Sequence, residues 1–156
     1  MQEEESIYDE LCLSIYNTNR YFHRLYAFVL DRYDLSYLQY MSLLVIHQRG
    51  GVKLMDIGDK LGLSSNTLTP VIDKLVQKNW LKKEQSAVDK RINLLKIKDS
   101  QSKLLNRILV EIESLRNDLI DRSGVSVEET LQSNQHLNHV LQLMIQDHIE
   151  SSSQKE

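Results

Sequence analysis

Residues 54–78 read LMDIGDKLGLSSNTLTPVIDKLVQK. Apolar residues recur at three- and four-residue spacing on both sides of Gly62, which is the period of a helix. Two helices that meet at a steep angle need a glycine in the turn and small or apolar residues at the crossing. Gly62 supplies the turn, Leu63 plugs it, and Gly58 allows a close approach beside Ile57 and Leu61. Leu68, Val71, Ile72 and Leu75 form the inner face of the second helix. The spacing predicts a short strand at Val52–Leu54, a helix over Met55–Leu61, and a longer helix from Ser64 to Lys78. Pro70 then falls about a turn and a half into the second helix, where it removes a backbone bond and favours a kink.

Downstream, Trp80–Glu84 and Ile92–Lys98 read as two strands joined by the polar loop Gln85–Arg91. Asn93, Leu95 and Ile97 share one face of the second strand, because strand side chains alternate with period two. A hairpin directly after a helix-turn-helix is a wing. Ser65, Asn66, Thr67 and Thr69 lie opposite the apolar face at the start of the longer helix, with Ser64 before them and Lys74 beyond. Short hydrogen-bonding side chains at a helix N-terminus suit base edges and phosphates in a major groove. Asn66 can pair bidentately with adenine. Helix capping explains Ser64 equally well, but not the whole pattern. In the loop, Lys90 and Arg91 suit a minor groove or phosphate, and Asp89 can brace Arg91 through an ion pair. Double-stranded DNA is therefore the expected partner.

Charge is distributed to match. Residues 1–48 carry three Lys/Arg against seven Asp/Glu, residues 49–100 eleven against six, and residues 101–156 five against nine. The net charge of −3 thus hides a basic middle between acidic ends, as expected when one segment meets phosphate.

Helices are expected on both sides of this middle. Ile7, Leu11, Ile15, Thr18, Phe22, Leu25 and Val29 mark a first one over residues 7–30, interrupted at Asp34 to Ser36. Ser36 caps a second through about His47, with Leu38, Met41, Leu44, Val45 and Tyr37 as its apolar positions, before Gly50-Gly51 turns the chain. Asp99 or Ser100 is expected to cap a long helix from Leu104 to Leu119, which Gly124 ends. Ser126 starts a last helix carrying Leu131, Leu137, Leu141 and Ile145, and Ser151–Ser153 read as part of a disordered tail. With one proline and five glycines, the chain favours long helices over an all-β fold.

Other function classes find little support. The longest aliphatic run, Leu43–Ile46, is far too short to span a bilayer, and the acidic start does not resemble a signal peptide. No Gly-rich phosphate loop or nucleophile–base–acid set is present, so no enzyme and no cofactor are expected. His136 and His139 stand one turn apart, but nothing completes a metal set, so no metal is expected. The single cysteine, Cys12, fits a reducing cytoplasm. All seven tyrosines lie between positions 8 and 40, and Cys12 shares a helix face with Tyr16. A lone cysteine on an apolar face is usually an inert core residue, so spacing alone leaves its role open.

Residues 54–98 resemble the winged-helix core of the MarR family, with Asp89-x-Arg91 as its wing signature. The likeness runs over residues 8–145, through Glu10–Tyr16, Leu35–Tyr40 and Ser65–Pro70, and is strongest to the one-cysteine organic-hydroperoxide-resistance subgroup. It implies a mainly α fold with a small β-hairpin wing. Residues 1–34 would form an N-terminal dimerisation helix with the redox cysteine, 35–98 the winged helix-turn-helix, 99–150 the C-terminal dimerisation helices, and 151–156 a disordered tail. It further implies a homodimeric transcriptional regulator on a pseudo-palindromic operator, in which Cys12 reacts with peroxide. Tyr16, Tyr26 and Tyr37 would surround the sulfur, at least one of them from the partner subunit. The sequence departs from the pattern at Ser64 and Asn66, where relatives often carry Asp and Gly, and at Ile97-Lys98 in place of Leu-Thr. Without a second cysteine, oxidised Cys12 would stop at sulfenic acid, capture a low-molecular-weight thiol, or be overoxidised. The family also offers a response to a small aromatic ligand, with Cys12 structural. A thiol peroxidase is disfavoured, since no arginine stands next to Cys12.

Overall fold

The computed structural model describes residues 2–153. Six helices and one hairpin follow in order: α1 (Gln2–Leu30), α2 (Tyr37–Arg49), α3 (Leu54–Leu61), α4 (Ser65–Gln77), β1 (Leu81–Gln85), β2 (Asn93–Ile97), α5 (Ser102–Ser123) and α6 (Val127–Ser153). Single 3-10 turns at Asp31–Tyr33 and Asp99–Gln101 precede α2 and α5. The chain divides into two compact units, one reaching Ile112 and one starting at Glu113.

The first unit is built around α2. Ser36 and Gln39 close a capping box at its start, each side chain bonding the other's backbone N–H, and Gly50 ends it in the left-handed region. The helix is covered on several sides, by α1, α3, α4 and β2. This corrects the apolar face read from spacing. Leu38, Met41, Leu44 and Tyr37 are only partly covered, whereas Tyr40, Leu43 and Ile46 are buried with Val45, together with the polar Gln39 and Ser42. Ser42 satisfies its hydroxyl on the Leu38 carbonyl at 2.9 Å, which makes its burial tolerable.

The α3–α4 crossing follows its glycines. Gly62 adopts φ +66° past the end of α3, and the Leu63 N–H reaches back to the Gly58 carbonyl. A Cβ on Gly58 would lie 2.7 Å from the Leu63 carbonyl oxygen, so only glycine fits there. Leu68, Ile72 and Leu75 of α4 and Ile57 of α3 are buried across this contact, each contributing about 1.5–3 kcal/mol. Asn79 takes the left-handed conformation after α4. Its N–H bonds Val76 and that of Trp80 bonds Leu75, a Schellman pair that turns the chain into the hairpin.

β1 and β2 pair antiparallel from Leu81↔Ile97 to Gln85↔Asn93. Lys82 and Lys96 face each other across the register, and Asp99 and Glu84 respectively offset their repulsion. The strand expected at Val52–Leu54 shrinks to one bridge, Val52↔Leu95, because Leu54 already begins α3. There the Asp56 carboxylate accepts the Lys53 N–H, starting the helix one residue early. Asp99 and Ser100, expected to cap α5, lie instead in the 3-10 turn ahead of it.

The apolar stripe of α1 divides in two. Tyr26, Val29 and Leu30 are buried, while every side chain from residue 6 to 21 is exposed. In the second unit α6 buries no residue, and Leu131, Leu141 and Ile145 are exposed. The helix continues through Ser151, Ser152 and Ser153, expected to be disordered, whose hydroxyls bond the carbonyls of Asp147, His148 and Ile149. The rest of that tail lies outside the described residues. No described helix is long and apolar enough to cross a membrane.

The Gly58 contact yields a prediction. Gly58→Ala and Gly62→Ala should both lower the melting temperature, for different reasons. At Gly62 there is open space, so only left-handed backbone strain of about 1 kcal/mol applies. At Gly58 backbone must move, at about 1–3 kcal/mol. Thermal denaturation should rank Gly58→Ala below Gly62→Ala. The reverse order would mean that the turn at Leu63 does not pack onto Gly58.

Candidate nucleic-acid interface and redox centre

Ser64 is the N-cap of α4, with its side-chain oxygen accepting from Thr67 N–H at 3.4 Å and lying 3.1 Å from the Thr67 hydroxyl. Thr69 donates its hydroxyl to the Ser65 carbonyl at 2.7 Å. Ser64, Ser65, Asn66, Thr67, Thr69 and Lys74 are all exposed, while Leu68 and Ile72 between them are buried. The first two turns of α4 therefore present hydroxyls, one amide and free helix N–H groups outward on a rigid support. Pro70 sits inside α4 as the spacing required, and its missing N–H leaves the Asn66 carbonyl without the usual helical donor.

The wing loop is locally braced. Ser86 N–H bonds the Ile92 carbonyl at 2.9 Å, and the Ser86 hydroxyl accepts from Val88 and Asp89. The Asp89 carboxylate receives three bonds from Arg91: its backbone N–H at 3.0 Å, Nε at 3.1 Å and a terminal guanidinium nitrogen at 3.1 Å. Arg91 is thus oriented while its side chain stays 90% exposed. The Arg91 side chain, then its backbone N–H, hold the Asp89 carboxyl below the usual aspartate range. Lys90 is exposed beside it.

The tyrosines expected around Cys12 fall into two groups within one chain. Cys12 is exposed on α1, and Tyr16, one turn on, is also exposed. Arg20 donates to the Tyr16 phenol oxygen at 3.2 Å and lies over its ring. Tyr26 and Tyr37 instead meet edge to face with ring centroids 5.4 Å apart, and His23 stacks on Tyr37 at 4.0 Å. Fourteen residues of helix place Tyr26 about 21 Å along the axis from Cys12. One chain therefore cannot close the cluster.

Two polar clusters escaped sequence reading. Tyr33 donates to Glu111 of α5 at 2.5 Å, and Arg32 pairs with the same carboxylate. That hydrogen bond holds Glu111 below the usual carboxylate range and pushes the Tyr33 phenol up. Lys78, at the end of α4, reaches Asp34 and Gln39. The partners lie dozens of residues apart in sequence, and no local pattern links them.

A helix-turn-helix followed at once by a braced two-stranded wing defines a winged helix-turn-helix protein. The MarR family model matches residues 35–92, from the start of α2 to the end of the wing loop. The transcriptional regulator MgrA of Staphylococcus aureus is 25% identical over 142 residues, covering 90% of this chain and 94% of that protein. AbfR of Staphylococcus epidermidis is 30% identical, covers 93% of this chain and 97% of its own, and superposes with a TM-score of 0.73. AbfR has also been solved bound to DNA in reduced form (TM-score 0.74) and in overoxidised form (TM-score 0.75), each 30% identical over 92% of this chain and nearly all of that one. The chain belongs to the MarR family.

A pH measurement follows from the wing. A carboxylate whose folded pKa is depressed stays ionised down to that value, so the brace persists through the ordinary range and is lost only as pH falls through the depressed value. By carboxyl carbon NMR, Asp89 should titrate below the usual value of about 3.9, and Arg91→Ala should raise it part of the way back, because the backbone N–H at position 91 still donates to the carboxylate. A midpoint unmoved by Arg91→Ala would contradict the brace.

Proposed function

We propose that this MarR-family DNA-binding transcriptional regulator works as a homodimer that holds a pseudo-palindromic operator while Cys12 is reduced and releases it once Cys12 carries a disulfide to a low-molecular-weight thiol. The observation that carries this reading is the separation within α1: an exposed thiol about 21 Å from the Tyr26–Tyr37 pair that a second chain would supply. The exposed Ile7, Leu11 and Ile15 around Cys12 support the same dimer, as do Leu131, Leu141 and Ile145 of α6. On this reading residues 1–34 and 99–150 serve dimerisation, 35–98 serve DNA, and the protein works in the cytoplasm.

Ser65, Asn66 and Thr67 are assigned to base edges in the major groove, and Ser64, Thr69 and Lys74 to the flanking phosphates. Arg91, oriented by Asp89, and Lys90 are assigned to the adjacent minor groove. A two-fold pair of such modules reads half-sites one helical turn, about 34 Å, apart, so a small change in separation weakens both contacts together.

The switch is ordinary thiol chemistry. The Cys12 thiolate attacks the terminal oxygen of an organic hydroperoxide, the O–O bond breaks, and the alkoxide leaves with a proton as an alcohol. The sulfenic acid then reacts with a small thiol, the S–O bond breaks, and water leaves as the disulfide forms. Both the reduced and the overoxidised forms of AbfR have been crystallised on DNA, which favours a bulky disulfide over a sulfur acid as the releasing state.

The test uses a duplex from the region upstream of the protein's own gene. Wild type should shift it when reduced, retain it after cumene hydroperoxide alone, and lose at least about tenfold in affinity after hydroperoxide plus glutathione. Cys12→Ser should bind under all three conditions. Equal release of both proteins would remove Cys12 from the mechanism.

A further inference from the structure

We infer that Lys78 is a positioning residue for DNA reading: its ammonium locks the C-terminal end of α4 to the joint between α1 and α2, and so sets the pitch of α4. Lys78 is the C-cap of α4. Its Nζ donates to the Asp34 carbonyl at 2.5 Å and the Gln39 side-chain oxygen at 3.5 Å, and lies 3.0 Å from the Asp34 carboxylate. An ammonium has three N–H groups and no acceptor, and here it meets three acceptors.

The joint is stiff. Asp34 holds a left-handed conformation at φ +53°, unusual for a residue with a side chain. Its N–H bonds the Asp31 carbonyl, and that of Leu35 bonds Leu30. Gln39 is buried, and the same side-chain oxygen that faces Lys78 accepts the Ser36 N–H at 3.0 Å. Lys78 therefore joins the group that already holds the start of α2. On the far side Arg32 and Tyr33 bind Glu111, so the turn Asp31–Asp34 is held toward α4 and toward α5 together.

The rest of α4 meets the domain through Leu68, Ile72 and Leu75, and apolar burial is not directional. Directional bonds at one end decide the tilt. Asn66 lies twelve residues from Lys78, about 18 Å along the axis, so a tilt of about three degrees moves it by about 1 Å. The joint also continues α1, the helix that carries Cys12. Resting on the redox reading above, the lock becomes the route by which a displacement of α1 reaches the polar face of α4.

The experiment uses the full chain as wild type, Lys78→Met, which keeps the apolar stem, and Lys78→Arg, which restores the charge. Duplexes carry the footprinted upstream half-sites at native spacing and one base pair closer or farther. Fluorescence anisotropy gives affinities for reduced protein and for protein treated with hydroperoxide and glutathione, with melting temperature as the control for folding. Lys78→Met should melt close to wild type. Its preference for native spacing and its ratio of oxidised to reduced affinity should each collapse by about tenfold, with partial recovery in Lys78→Arg. If Lys78→Met keeps both ratios, the lock is overturned. If wild type is not released on oxidation, the redox reading fails while the spacing series still decides the lock: an unchanged spacing profile in Lys78→Met overturns it. A wild type indifferent to spacing overturns it too.

Discussion

The packing of the α3–α4 turn onto Gly58 is the constraint from which the rest follows. With the Leu63 carbonyl oxygen 2.7 Å from where a Cβ would stand, no other residue lets the turn into α4 fold so closely onto α3. That packing points the apolar side of α4 into the domain and leaves Ser65, Asn66 and Thr67 on a rigid outer edge. The Schellman turn after α4 then carries the chain directly into the hairpin. Helix and wing are two consequences of one packed corner.

Around that corner, interaction types divide the labour. Apolar burial supplies most of the stability but little direction. Direction comes from a few polar contacts between distant segments: Val52 with Leu95, Lys98 N–H with the Trp80 carbonyl, Lys78 with Asp34 and Gln39, and Tyr33 with Glu111. Several of these gather at the turn from Asp31 to Asp34, where the long N-terminal helix gives way to the winged-helix core. Cys12 is far from that core, on a stretch of α1 with no cover within its own chain. On the proposed reading, sensing and reading are thereby separated in space and connected through the joint at Asp31–Asp34.

Much of this was legible from residue spacing because it is local. The helical periods around Gly62, the turn glycines, the alternation in the wing and the Asp89–Arg91 neighbour pair each depend on residues a few positions apart. The buried face of α2 was misjudged because that helix is enclosed on several sides. Gln39, Tyr40 and Ser42 are residue types that spacing assigns to a surface, and they become acceptable inside only through partners such as the Leu38 carbonyl. Val52 read as a strand because β-branched character says nothing about how soon the next helix starts. Ser151–Ser153 read as tail, yet serine hydroxyls can bond back onto a helix already formed. The polar contacts at the joint link residues 39 to 79 positions apart, and no periodicity reports them.

The central claim is that the oxidation state of one thiol sets the separation of two wings. It can be measured by replacing Val88, 98% exposed at the wing tip, with a ketone-bearing amino acid and attaching a spin label without modifying Cys12. Dipolar electron resonance then gives the distance between the two labels of a dimer. A single distribution in reduced protein, displaced by several ångströms after hydroperoxide and glutathione and not displaced in Cys12→Ser, is expected. The same distribution before and after oxidation, or no inter-chain distance at all, would contradict it.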